Sequence, residues 1–191
     1  PVISVGGGDS DVAAISETDA VITASGKLSV VDADLSDTVT ATVESVVASG
    51  TFAGVNPHTN TELKEMLTVT SGAIAADSGA VSNLSWAFSS GSAAAFDFLG
   101  AGETLVLTYT VKAEDSSADK ANDTQSVTIT ITGSNDVPVI SVGGGDSDVA
   151  AISETNAVIT ASGKLSVVDA DLSDTVTATV DRGPIDTRSW F

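Results

Sequence analysis

The stretch Pro1–Val43, PVISVGGGDSDVAAISETDAVITASGKLSVVDADLSDTVTATV, occurs twice in this chain. It returns as Pro138–Val180, 137 residues further on, and only one of the 43 positions differs, where Asp19 becomes Asn156. A repeat of this length and fidelity predicts an array of similar modules. Tandem copies are typical of stalks, spacers and adhesins, and they are unusual for enzymes.

The repeat boundaries divide the chain into three parts. Residues 1–137 are predicted to form one complete β-sandwich repeat, and 138–180 the first third of the next repeat. The segment 181–191, DRGPIDTRSWF, does not continue the repeat and contains both arginines of the chain. We expect it to be a foreign or expression-derived tail, and we expect Pro1 to be an internal residue of a longer protein.

The charge of the chain is strongly one-sided. It carries 26 acidic and 7 basic residues, a net charge of −19, and it has no cysteine. This balance disfavours nucleic acid and anionic membrane surfaces as partners. No apolar run approaches the roughly 20 residues of a membrane span. So many carboxylates repel one another unless cations bind to them.

Alternation of β-branched and polar residues predicts an all-β fold. In the segment Val127–Thr132, Val127, Ile129 and Ile131 share one face and threonines occupy the other, as in a sheet with one solvated face. The same kind of pattern recurs along the chain, and we expect an antiparallel β-sandwich; the family resemblance given below implies that it is Ig-like or cadherin-like. The predicted strands are Val12–Ser16, Ala20–Val31, Asp37–Val47, Leu67–Thr70, Leu84–Phe88, Leu105–Val111 and Gln125–Thr132.

One short helix is predicted to interrupt the strands. The segment Asn60–Leu67 has apolar residues at helical spacing, acids in its first turn, and Asn60 or Thr61 as its N-cap. We expect it to cover one end of the core. It lies in a long insertion, Ser49–Ala80. Trp86 is predicted to be a core residue, because a lone tryptophan inside a strand is usually buried.

Four segments together resemble a VCBS repeat. They are Ala24–Asp34 (ASGKLSVVDAD), the strand that contains Trp86, Leu99–Asp115 (LGAGETLVLTYTVKAED) and Val127–Pro138 (VTITITGSNDVP). The Ser49–Ala80 insertion is longer than that family usually has.

The resemblance implies a role for the module. VCBS repeats are tandem cadherin-like domains of giant bacterial surface adhesins, often exported by type I secretion and ending in RTX repeats. It therefore implies an extracellular extender module, at the bacterial cell surface, that supports cell adhesion and biofilm formation. The alternative is an adhesive module that uses the insertion to bind a glycan or a protein. We expect no enzymatic activity.

Acidic side chains gather where strands end. Ca²⁺ prefers six to eight hard oxygen ligands, and a D-x-D sequence aims two carboxylates at one ion. In a sandwich whose termini lie at opposite poles, Asp32 and Asp34 are expected at the first pole with Asp115. Glu17 is expected at the other pole with Asn135 and Asp136, where Asp169 and Asp171 of the second copy face back onto them. The predicted calcium ligands are Glu17, Asp32, Asp34, Asp115, Asn135, Asp136, Asp169 and Asp171.

Two other motifs are not expected to form a metal-binding or catalytic site. The sequence Gly6–Asp11, GGGDSD, is similar to a calcium-binding RTX repeat, but a single copy cannot build a repeating roll, so we expect a flexible turn. His58 is the one histidine of the chain. It lies in a predicted turn, and a Ser-His-Asp triad is not expected there.

The duplicated segment also predicts self-association. Residues 138–180 supply too few strands for a sandwich, and exposed strand edges favour pairing with other chains. Because 1–43 and 138–180 are nearly identical, strands could be exchanged between neighbouring molecules. The expected partners are thus neighbouring repeats of the same chain, with surface glycans or proteins as further candidates.

Overall fold

Nearly all of the regular structure is β-strand, as the alternating sequence predicts. The computed structural model describes residues 1–77 and 79–181. The described residues divide into two units: the first comprises Pro1–Asp136 together with Ala170–Ser173, and the second Val137–Asp169 together with residues 174–181. The expected foreign tail lies, apart from Asp181, outside the described residues. No helix in the described part of the chain is long and apolar enough to cross a membrane.

The strands of the first unit form two sheets with a shared core. In chain order the elements are β1 (Val2–Ser4), β2 (Val12–Ser16), β3 (Thr23–Val31), β4 (Thr38–Gly50), α1 (Asn60–Glu65), β5 (Leu67–Val69), β6 (Ala73–Ala75), β7 (Leu84–Ser89), β8 (Thr104–Asp115) and β9 (Asn122–Thr132). One sheet has the order β1-β3-β7-β5 and the other β2-β9-β8-β4-β6. The predicted all-β sandwich with one short helix is confirmed.

One strand pair departs from the antiparallel pattern. β2 pairs with β9 in parallel, from Val12 opposite Thr128 to Ser16 opposite Thr132, while every other strand pair of the first unit is antiparallel. The parallel pair arises because β1 lies in one sheet and β2 in the other. The chain therefore crosses between the sheets within the GGGDSD sequence.

The crossing segment is held by hydrogen bonds, so the expectation of a flexible turn is wrong. The Asp9 carboxylate accepts hydrogen bonds from the Gly6 amide at 2.9 Å, the Ser29 hydroxyl at 2.6 Å and the Ser82 hydroxyl at 2.6 Å. Burial alone would raise the pKa of Asp9, but these hydrogen bonds together lower it. Gly8 adopts a φ of +91°, which glycine reaches without steric cost.

Trp86 anchors the same crossing from the core side. Its side chain is 1% exposed, and its indole nitrogen donates to the Ser10 carbonyl oxygen at 2.7 Å. Gly26 lies opposite Trp86 in the β3–β7 pair. A Cβ at Gly26 would lie 2.6 Å from the Ser10 carbonyl oxygen and equally close to the indole ring. The prediction that Trp86 belongs to the core is confirmed.

The central strands show the expected one-sided burial. Every second residue of β8 is buried, and Val127, Ile129 and Ile131 of β9 are fully buried. The threonines between them are only partly buried. This is the pattern of a sheet with one face on the core and one face toward solvent.

The predicted helix is present, but it is shorter than predicted and has a different N-cap. Its N-cap is Thr59 rather than Asn60 or Thr61, and Thr59 forms a reciprocal capping box with Glu62. It ends at Glu65 because Leu67 pairs with Phe88 in the sheet. Leu63 is fully buried.

The position of the helix also differs from the expectation. It contacts β4 and β5, which belong to different sheets. It therefore covers a side of the sandwich and not an end. The Tyr109 hydroxyl donates to the Leu63 carbonyl oxygen at 2.8 Å. Burial of Tyr109 raises its pKa, so the phenol remains a neutral donor.

The second unit repeats the start of the first without its core. β10 (Val139–Ser141) pairs with β11 (Ser166–Val168) in the register that β1 and β3 use. The Asp146 carboxylate accepts from the Gly143 amide and the Ser166 hydroxyl, as Asp9 does from its counterparts. Ile140, however, is 60% exposed, whereas Ile3 is 4% exposed. Strand exchange through 1–43 and 138–180 stays a prediction.

A methyl group at Gly26 should destabilise the first unit. In Gly26→Ala the new Cβ meets both the Trp86 ring and the Ser10 carbonyl, and overpacking of this kind costs about 1–3 kcal/mol. Urea unfolding followed by circular dichroism measures the loss. Gly7→Ala is the matched control, because a Cβ at Gly7 meets nothing within 4 Å. Equal stabilities of the two variants would contradict the proposed role of the glycine.

Candidate metal centre

The parallel strand pair places two acids at one pole of the first unit. Glu17 directly follows β2, and its amide donates to the Thr132 carbonyl oxygen at 2.7 Å. Asp136 follows β9 by four residues. Because β2 and β9 run in the same direction, the chain leaves both strands at the same pole. The predicted convergence of Glu17 and Asp136 is therefore present in the fold.

Two further carboxylates belong to this pole. Asp97 comes from the loop between β7 and β8, and Asp171 belongs to the Ala170–Ser173 segment of the first unit. The Asp136 amide donates to the Asp171 Oδ2 at 2.8 Å. We refer to these four acids, Glu17, Asp97, Asp136 and Asp171, as the acidic pole.

The acidic pole contains buried carboxylate oxygens that have no hydrogen-bond donor. Glu17 is 2% exposed; the Ser134 hydroxyl donates to its Oε2, but its Oε1 has no partner. Asp97 Oδ1 and Asp136 Oδ2 are likewise buried without a donor. In the described part of the chain, no basic side chain forms an ion pair with Glu17, Asp97 or Asp136. A buried carboxylate oxygen without a donor costs free energy.

Crowding at the acidic pole changes its protonation. Burial, followed by the charges of Asp97, Glu17 and Asp171, raises the pKa of Asp136 to about 6. Burial and then the charge of Glu17 raise the pKa of Asp97. A bound cation would reverse both effects, because an opposite charge favours the ionised carboxylate.

Two of the other predicted ligands lie at the opposite pole, where β3 and β8 end and β4 begins. Asp32 and Asp115 are each 5% exposed. The Pro1 nitrogen lies 3.4 Å from Asp32 Oδ2. A hydrogen bond from the Ser117 hydroxyl lowers the pKa of Asp115. Asp34 is exposed, and its amide donates to Asp32 Oδ1 at 3.0 Å.

The remaining predicted ligands are placed differently. Asn135 is exposed, and its side-chain nitrogen donates to the Asp136 carbonyl oxygen. Asp169 belongs to the second unit. Asp97, by contrast, was missed. Its signal was an acid between Phe96 and Phe98, since an acid between two buried aromatic residues is itself drawn out of water.

The acids are close but not arranged as a finished coordination shell. Within residues 1–77 and 79–181, no group of three or more acidic or histidine side chains has the geometry of a metal site. Binding an ion would require the carboxylates to rotate toward it. Ca²⁺ tolerates irregular oxygen shells and accepts carbonyl and water oxygens as well.

The insertion forms a groove beside the helix. The groove has a volume of about 750 Å³, and its walls include Thr42, Ser45, Asn60, Lys64 and Thr68. Its described lining contains no aromatic side chain. The ring-stacking surface that a sugar-binding site uses is therefore not part of this lining.

Comparison with protein-family models and with curated proteins found no match for this chain.

Stability without divalent ions should depend on the protonation of the acidic pole. Asp136 has a pKa of about 6 in the folded chain, above the usual value of an unfolded aspartate. Between about pH 4 and pH 6 the folded state therefore holds a proton that the unfolded state has released. The free energy of unfolding should thus fall as the pH rises from about 4 to 6.

Urea unfolding in a chelator at each pH measures this dependence. Asp136→Asn should make the free energy of unfolding less dependent on pH, because residue 136 then no longer binds or releases a proton. Asp119→Asn, an exposed acid in the turn between β8 and β9, should leave this dependence unchanged. A stability that stays constant, or rises, across this pH range would contradict the assignment.

Proposed function

We propose that this chain is a calcium-stiffened spacer module of a bacterial surface adhesin. The observation that carries the proposal is the set of buried, donor-free carboxylate oxygens on Glu17, Asp97 and Asp136. They lie at the pole where β9 ends and the chain continues into the second copy. A divalent cation there supplies the positive charge that the protein does not provide.

Residues of the acidic pole would hold the ion. Glu17, Asp97 and Asp136 offer carboxylates from three separate loops, and Asp171 adds one from the second copy. When bound, the ion neutralises the repulsion among these groups and ties the loops together. Calcium suits the site better than magnesium, because Mg²⁺ demands a near-ideal octahedron and retains its waters. Millimolar calcium, as found outside cells, would fill a site of modest affinity.

Three sequence features support the spacer role. The near-identical duplication is typical of an array, and the resemblance to VCBS repeats implies adhesins of bacterial surfaces. The net charge of −19 makes a chain of such modules repel itself. In calcium this repulsion is neutralised at the junctions, and the array becomes stiffer.

Calcium should stabilise the folded chain against heat. With a dissociation constant of about 1 mM, roughly 10 mM calcium contributes about 1.4 kcal/mol. For a chain of this size the melting temperature should then rise by about 3–6 °C over its value in chelator. Differential scanning calorimetry measures the shift. The double variant Glu17→Gln/Asp136→Asn should lose it, and Asp119→Asn should keep it.

Stiffening should be visible in a protein with two whole copies of residues 1–137. Small-angle X-ray scattering should give a larger maximum dimension and less flexibility in calcium than in chelator. The Glu17→Gln/Asp136→Asn substitutions at the junction should make the two conditions alike. Identical scattering of the unsubstituted protein in calcium and in chelator would refute the spacer mechanism.

A further inference from the structure

The same ten-residue sequence occurs in two different environments. Residues 30–39 and 167–176 both read VVDADLSDTV. Both copies have the same local conformation, with a bend at Ala33 or Ala170 and a turn over the leucine and serine that follow. Yet Asp34 is exposed, whereas Asp171 is 2% exposed. The difference arises from what the second copy touches and not from its sequence.

The segment Ala170–Ser173 is part of the first unit and contacts it at three successive residues. Asp171 Oδ2 accepts from the Asp136 amide at 2.8 Å. The Leu172 amide donates to the Phe98 carbonyl oxygen at 3.4 Å. A Cβ placed on Gly54 would lie 3.4 Å from Leu172 Cδ1, and one placed on Gly100 would overlap the Ser173 hydroxyl. We call this four-residue segment, and its duplicate Ala33–Ser36, the docking segment.

The surface that receives it is built by the insertion and a neighbouring loop. The Glu103 carboxylate accepts from the Ala53 amide at 2.9 Å and from the Gly100 amide at 3.0 Å, which fixes the two loops together. The Phe52 ring packs edge-on against Phe98 at 5.8 Å between centroids. Gly54 and Gly100 leave the space that Leu172 and Ser173 use. We call Gly54, Phe98, Gly100 and Asp136 the receiving surface.

We propose that the docking segment is the contact by which each repeat of this sequence attaches directly to the repeat before it. The segment Ala170–Ser173 occupies the receiving surface of the first unit. Its duplicate Ala33–Ser36 is exposed, with Leu35 72% exposed, and carries the same groups for the receiving surface of a preceding repeat. The long Ser49–Ala80 insertion thereby acquires a role, since it supplies Gly54. The inference extends the proposed array of modules, but the contact itself requires no metal.

Hydrogen exchange of two matched amides tests the proposal. Leu35 and Leu172 have the same neighbours in sequence, so their intrinsic exchange rates are equal. In the full chain, in chelator, the Leu172 amide should exchange at least about tenfold more slowly than the Leu35 amide, because docking must open before exchange. Nuclear magnetic resonance resolves both amides in one sample.

A substitution on the receiving surface provides a second test of the docking contact. In Gly100→Ala the methyl group occupies the space of the Ser173 hydroxyl, and the nearest other group is Glu103 at 3.6 Å. The Leu172 amide should then exchange as fast as the Leu35 amide, while the core amides of β8 and β9 keep their protection. In Gly7→Ala, a glycine with open space around it, the Leu172 amide should stay protected.

The outcomes separate this contact from the calcium proposal. Equal exchange of Leu35 and Leu172 in the unsubstituted chain, both in chelator and in calcium, overturns the docking contact. Protection of Leu172 that appears only in calcium also overturns it, and instead favours a junction held by the ion alone. Slow exchange of Leu172 in chelator supports docking, even if calcium has no effect on melting and the spacer mechanism fails.

Discussion

The parallel pairing of β2 with β9 is the constraint on which the rest of the first unit depends. It requires the chain to leave one sheet and join the other within a few residues, which the glycines and the Asp9 carboxylate make possible. It also sends the ends of both strands to the same pole. Without this pairing, Glu17 and Asp136 would not lie at the same pole, and the acidic pole would not form.

Two acids of the chain show how differently a folded protein treats a carboxylate. Asp9 receives three donors, and its pKa is lowered. Asp136 has a buried oxygen without a donor, lies among other acids, and its pKa is raised. The first arrangement stabilises the fold, while the second costs stability unless a positive charge is added. Such unfavourable sites are where function is commonly found.

The sequence predicts most strands of the first unit, but it misses two short ones. Strands β8 and β9 follow from their alternation, since burying one face of a sheet demands period two. β1 and β6 have three residues each and exist because distant strands pair with them, which no local pattern reveals. Strand direction predicts at which pole the acids at the strand ends lie. It does not predict Asp97, because the position of Asp97 depends on how the loop between β7 and β8 folds over the core. The helix begins at Asn60, as predicted, but its N-cap is Thr59, which lies one residue before the predicted range and forms a reciprocal capping box with Glu62.

The β2–β9 pair also determines how the first unit responds to force. The chain enters β2 at Val12 and leaves β9 at Thr132, at opposite ends of a ladder from Val12 opposite Thr128 to Ser16 opposite Thr132. Tension along the chain therefore pulls the two strands past each other along their length. All hydrogen bonds of the ladder must then break together, rather than one after another as in peeling. In a protein that is anchored at one end and pulled at the other, the short β2–β9 ladder therefore bears the force.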